Sequence, residues 1–361
     1  MATEGLVNSV NAIRELSSEI YHQYVPIIDE NTDIATLAAP ILNNSNVQNE
    51  FMSALINRIV YTSFEVKRFR NPLAVLKGDK MPLGYSGQNI FVNRAKGRRF
   101  NVEDFAGILA KYEAEVAVEY HAINMDVQYP VTVSRETLKK AFVSWDALDS
   151  FISQLSDSLY NAAYIDEYAL TKAVVTSAYA AGKAVVKTVT APTTEAAAKK
   201  FVEEARGLFL NFQTPSTDYN AWSKANTDRK ITTWTNPEDI VILIRNDIRA
   251  YLDVNVLADA FNIDKTTLLG NMISVDNFNV YEDDGTLKTD GSAICGIIAD
   301  KAFFKIKDQD EFMDSFYNPN NRTTQFYLNK ISSYNYSMFA NAVVLATTEP
   351  NVAAATAEDE E

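Results

Sequence analysis

The chain is poor in the residues that most often carry chemistry. It has one cysteine, two histidines and fewer basic than acidic residues among its 361, and no long apolar run. A lone Cys295, set in the apolar stretch Ala293 to Ile298, excludes an intramolecular disulfide and a thiolate metal cluster within one chain. It reads as a small buried hydrophobe. His22 and His121 have no second ligand at metal-binding spacing, so surface or packing roles are expected. No stretch approaches the roughly 20 apolar residues a membrane helix needs. Met1 to Gly5 lacks the basic and apolar regions of a signal peptide, so synthesis in the cytosol is expected.

Catalytic patterns are missing too. There is no Gly-x-Ser-x-Gly elbow, Walker loop, Gly-x-Gly-x-x-Gly or His-Glu-x-x-His. Glu282-Asp283-Asp284-Gly285 lacks the spaced oxygens of a calcium loop and reads as a plain turn. The neighbours Asp166-Glu167 could serve as acid and base, but adjacent carboxylates are expected by chance in so acidic a chain. No catalytic residue, metal site or cofactor is expected, and an enzyme is the disfavoured reading.

What is present is a folded, aromatic-rich protein: 47% of residues are hydrophobic, with 19 Phe and 18 Tyr. The net charge of −14 argues against electrostatic wrapping of nucleic acid. It suits a protein that stays soluble at high concentration or lines a compartment filled with DNA, and both readings stay open.

Residues 1–70 read as helical with breaks. Leu6, Val10, Ile13, Leu16 and Ile20 keep one helical face up to Val25-Pro26, and a further helix is expected over Val47 to Tyr61, with loop from Asp29 to Thr36. Residues 71–133 read as a long hairpin with a strand at Asn89 to Val92, a basic tip of Arg94, Lys96, Arg98 and Arg99, and a return through Tyr120 to Val133. Its arms look too poor in apolar residues to bury themselves, so support from a neighbouring copy is expected, over acidic positions such as Asp157, Asp166 or Glu167. The tip could instead touch nucleic acid.

Trp145 to Ala181 contains neither Pro nor Gly and stops at Gly182, which predicts one helix of about 55 Å. Strands are expected at Val185 to Val189, Ile240 to Ile244, Ile273 to Val275, Ile294 to Ile298 and Phe303 to Ile306, and helices at Glu195 to Leu210 and Asp247 to Phe261. Pro350 to Glu361 reads as a disordered acidic tail, dispensable for the fold.

A resemblance gathers these pieces. The turn Tyr317-Asn318-Pro319, the aromatic run from Phe326, and Ser337-Met338-Phe339-Ala340-Asn341-Ala342-Val343 resemble the closing strands of major capsid proteins of small tailed podoviruses, the phi-twenty-nine-type phages. Leu42 to Phe51 with Asn57-Arg58-Ile59 is similar to that family's first helix. Asn71-Pro72-Leu73 with Pro82-Leu83-Gly84 is similar to the entry of its extended loop. Leu138 to Trp145 and Asp166-Glu167-Tyr168 match the approach to and middle of its long helix. The most specific block is Leu252 to Asn262 with Leu268-Leu269-Gly270-Asn271.

The resemblance implies an α+β fold of the Hong Kong 97 type. Laid on this chain, it implies an N-terminal arm over 1–70, an extended loop over 71–133, a peripheral domain over 134–213 and 321–349 carrying a spine helix, and an axial domain over 214–320. It further implies a structural protein that assembles with itself into pentamers and hexamers of an icosahedral or prolate head. A scaffolding protein and a portal are the implied partners, with double-stranded DNA enclosed but not read by sequence. The virion is the implied location, the host cytoplasm the place of assembly. An encapsulin-like nanocompartment shell is the alternative.

Overall fold

The computed structural model describes residues 4–61, 69–82, 87–95, 97, 111, 113–255, 272–282 and 285–350. In chain order the helices are α1 Glu4–Glu15, α2 Glu19–Tyr24, α3 Ile34–Asn43, α4 Ser45–Tyr61, α5 Arg135–Ala141, α6 Trp145–Ala180, α7 Glu195–Phe212, α8 Ala221–Ala225 and α9 Asn246–Asn255. The strands are β1 Gly87–Val92, β2 Val116–His121, β3 Met125–Ser134, β4 Val185–Thr188, β5 Ile240–Arg245, β6 Met272–Val275, β7 Val280–Tyr281, β8 Leu287–Thr289, β9 Ile294–Asp300, β10 Phe304–Asn318, β11 Thr323–Tyr336 and β12 Ala342–Ala346.

The chain forms two compact units. The first comprises residues 1–71, 125–167 and 308–331, the second residues 72–124, 168–307 and 332–361. α6 supplies its first part to the first unit and its remainder to the second.

In the first unit the helices α1 to α5 and the start of α6 close one core with the inner faces of β3 and β11. Ile13, Leu37, Phe51, Leu148, Ile152 and Phe326 are all fully buried there. The strand order is β10-β11-β3. The single first helix expected from the sequence is instead two. Ser18 caps α2, its Oγ accepting from the Tyr21 N–H, and the resulting break leaves Leu16 and Ile20 exposed. α3 occupies part of the expected loop and runs past it. Asp33 caps its start, while its internal Pro40 hides it from a reading that ends helices at proline.

Across the two units α6 is one uninterrupted element of 36 residues. It ends as its sequence requires: Gly182 has φ of 63°, its N–H reaches Tyr179 O at 3.0 Å, and Lys183 N–H reaches Ala178 O at 2.9 Å.

The second unit is built on a five-stranded sheet in the order β4-β12-β9-β5-β6. β12/β4 and β5/β6 are parallel, β12/β9 and β5/β9 antiparallel. Residues Ile240 to Ile244 of β5 are all buried, the mark of a strand covered on both faces. One face packs on Phe201, Phe209 and Phe212 of α7 through Ile242, Ile298, Val343 and Cys295. The buried Cys295 thiol, pushed up by burial, fits the packing role expected of it. The tip at β7–β8 turns through Gly285 at φ of 82°. The expected helix beyond Asn255 and the acidic tail lie outside the described residues.

Candidate assembly site

The hairpin expected from the sequence has a paired base in the second unit. β1 and β2 are antiparallel, with Gln88 opposite Tyr120, Ile90 opposite Val118 and Val92 opposite Val116. Alternation puts these six on one face, and that face is uncovered: Ile90 is 56% exposed, Val92 58%, Val116 56% and Tyr120 73%. The arms are therefore not poor in apolar residues, as the sequence suggested. They display them on the outer side, in cross-strand pairs whose Cβ atoms sit about 5 Å apart.

The opposite face is tied down within the chain. Asn89 Nδ2 donates to Glu119 Oε1 at 2.7 Å, and His121 Nε2 lies 3.1 Å from the same oxygen. Met338 N–H donates to Glu119 Oε2 at 3.0 Å, and the Ser337 hydroxyl also bonds the carboxylate. Burial pushes the Glu119 carboxyl up, but the bonds from His121, Ser337, Asn89 and Met338 outweigh it and hold the group below its ordinary range. Phe91 packs on Phe339 with centroids 5.7 Å apart, and Trp222 meets Phe339 edge-on at 5.2 Å.

The run Ser337 to Val343 thus has a physical role. Ser337 and Phe339 anchor the hairpin. Asn341, fully buried, accepts from Thr233 Oγ1 at 2.6 Å and donates to Thr235 Oγ1 at 3.1 Å, and Val343 enters the core.

Of the basic tip, Arg94 is exposed just past β1, and Lys96, Arg98 and Arg99 lie outside the described residues. The acidic positions on α6 divide. Asp157 is half-buried, and its Oδ1 has no hydrogen-bond partner among the described residues. Asp166 is half-buried and accepts from the Tyr129 hydroxyl, whose pKa is raised by burial and by that bond. Glu167 requires a correction. It is 4% exposed, receives Lys330 Nζ at 2.9 Å and Asn71 Nδ2 at 3.0 Å, and offers nothing to a neighbour. A carboxylate in mid-helix reads as solvated from sequence alone; its buried cation arrives 163 positions later.

The outer row Ile90, Val92, Val116, Val118 and Tyr120 is not among the site residues expected from the sequence, although a period of two over 87–92 and 116–121 carries it. Among the described residues no group of three or more acidic, histidine or cysteine side chains is placed to hold a metal ion, and no helix is long and apolar enough to cross a membrane.

A family model described as Phi29-like phage major capsid protein matches residues 10–346. The chain is 31% identical over 342 residues to the major capsid protein of Bacillus phage B103, covering 94% of this chain and 72% of that protein. It is 30% identical over 359 residues to the major capsid protein of Bacillus phage PZA, covering 96% and 76% respectively. Among solved structures it is similar to a chain in the capsid structure of Staphylococcus phage Andhra, with a TM-score of 0.64 at 15% identity over 80% of this chain and 87% of that one.

Proposed function

Since the chain belongs to the Phi29-like phage major capsid proteins, we propose that the outer face of its β1–β2 ribbon is where copies meet as they close a shell. The protein is the structural, shell-forming subunit of a tailed phage head, with the α+β fold of the Hong Kong 97 type. The observation that carries the contact is the uncovered row Ile90, Val92, Val116, Val118 and Tyr120 on a ribbon whose other face is pinned by Glu119, Ser337 and Phe339. An apolar face held rigid and left bare is what a repeated interface buries.

Beyond that contact, the reading is pentamers and hexamers in an icosahedral or prolate head, assembled in the host cytoplasm on a scaffolding protein around a portal. The shell encloses double-stranded DNA without reading its sequence, and the subunit performs no catalysis. The arm, extended loop, peripheral and axial regions expected from the sequence are kept as its working parts. The basic tip from Arg94 to Arg99 is placed over Asp157 and Asp166 of an adjacent copy, with Glu167 withdrawn from that set. Phage relatives favour a head over a nanocompartment.

Electron microscopy of the chain co-expressed with a scaffolding protein tests this reading. Closed shells with fivefold and sixfold clusters are expected; a protein that stays a small oligomer at high concentration would overturn it.

A further inference from the structure

A cleft of about 440 Å³ opens in the second unit beside the base of the hairpin. Its lining includes Phe91, Arg94, Trp234, Asp300, Lys305 and Phe339. Lys305 is the anomaly. It is half-buried, yet its ammonium makes no hydrogen bond or ion pair among the described residues, and burial pushes that ammonium below the ordinary lysine range. The nearby carboxylates are already occupied: Glu119 by its four donors, Asp300 by Ala302 N–H at 2.8 Å and Thr235 Oγ1 at 2.8 Å. A cation taken partly out of water without a hydrogen-bonded partner is unfavourable, and an arriving anion relieves that cost.

The surroundings narrow the anion. Arg94 adds a second, exposed cation, so the cleft presents two separate positive groups, and Asp300 on the same wall disfavours several negative charges concentrated on one small anion. Trp234, 57% exposed, and the rings of Phe91 and Phe339 offer walls for backbone and small side chains. That combination fits a peptide carrying single carboxylates.

The sequence supplies such a peptide. Residues 351–361, Asn-Val-Ala-Ala-Ala-Thr-Ala-Glu-Asp-Glu-Glu, have four carboxylates and no cation. They follow Pro350, a few residues beyond β12, and β12 itself begins beside Asn341 on the cleft wall. Running back from Pro350 past residues 342–349 requires up to about 30 Å, and the eleven residues 351–361 extend to about 37 Å, so the last acidic residues reach the cleft.

We propose that in the unassembled chain this cleft is an acidic-peptide site that receives the run Glu358-Asp359-Glu360-Glu361 of the same chain, its carboxylates meeting Lys305 and Arg94 before Arg94 is taken up by an adjacent copy. Docked there, the run neutralises the stranded ammonium and covers the inner edge of the hairpin base.

Zero-length carbodiimide coupling on the full, unassembled chain tests this. The reagent joins a carboxylate to an amine only where they touch, and mass spectrometry of the digest locates the bond. An equal mixture of unlabelled and nitrogen-15-labelled chains separates links within a chain from links between chains. The expected product joins Lys305 to one of Glu358 to Glu361, carries a single isotope label, and outweighs any product at Lys187, which pairs with Leu345 near the start of the segment. In parallel, replacing the run by E358Q, D359N, E360Q and E361Q should speed hydrogen exchange of 337–341 at least twofold. A Lys187 product equal to or above that of Lys305, only mixed-label products, or unchanged exchange would each overturn the proposal.

Discussion

Lys330 and Glu167 face each other at 2.9 Å with side chains only 8% and 5% exposed, and Asp308 stands 3.9 Å from the same ammonium. β11 brings the cation, α6 the anion, and Asn71 donates to the second carboxylate oxygen. Such a pair holds register more than it adds stability, because desolvation consumes most of the Coulombic gain.

Lys330→Met should therefore cost about 3–5 kcal/mol by leaving a buried carboxylate unpaired. Adding Glu167→Leu should recover much of that loss. Denaturant unfolding of the two variants checks the ordering; equal stability of Lys330→Met and the parent would show the pair to be inert.

Placing charge on the outer ribbon face should separate folding from assembly. Ile90→Asp combined with Val118→Asp alters two opposed, exposed residues, so circular dichroism and melting should stay near the parent while shells fail to form in sedimentation and microscopy. Shells of normal yield would remove this face from the interface.

The basic tip admits its own test. Arg98→Glu with Arg99→Glu should leave monomer melting unchanged and sharply weaken assembly. Single exposed ion pairs contribute about 0–1 kcal/mol, yet they recur at every contact of a shell.

Acid should loosen the hairpin. Because the folded Glu119 carboxyl titrates below its ordinary value, its contribution to stability is present above the ordinary carboxylate range. It is lost as pH falls through the folded value. Glu119→Gln should be less stable at neutral pH, and its stability should change less than the parent's between roughly pH 5 and pH 3. Melting temperatures across that window decide the matter; parallel curves would refute it.

Gly296, in the middle of β9, admits no side chain: a Cβ there would lie 2.6 Å from the carbonyl oxygen of Leu243. Gly296→Ala should cost about 1–3 kcal/mol through displacement of β5, measurable as a lowered unfolding midpoint.

Much of this architecture is legible in local sequence. The absence of Pro and Gly from Trp145 to Ala181 marks α6, and Gly182 marks its end, since both signals lie within a few residues of what they control. The unbroken apolar run Ile240 to Ile244 likewise announces a strand covered on both faces. Leu16 and Ile20 mislead because apolar spacing continues across a cap that starts a new helix at Ser18. The candidate site is legible only in part. Its basic tip is a visible cluster, but the apolar row on Ile90 and Val118 depends on which face of a ribbon the rest of the chain covers, and Ser337 and Phe339 lie some 220 positions from Glu119. No window of sequence contains that pairing.

The position of β12 sets a schedule for synthesis. β12 is hydrogen-bonded to both β4 and β9, so β4 has no place in its sheet until residues about 150 positions later have been made. At translation rates of roughly 5–20 residues per second, β4 waits about 8–30 s with an open edge. The edge of β4 is thus closed only by a strand made after β5, β6 and β9, so the sheet is completed from its far side inward and β4 is the last strand to be paired.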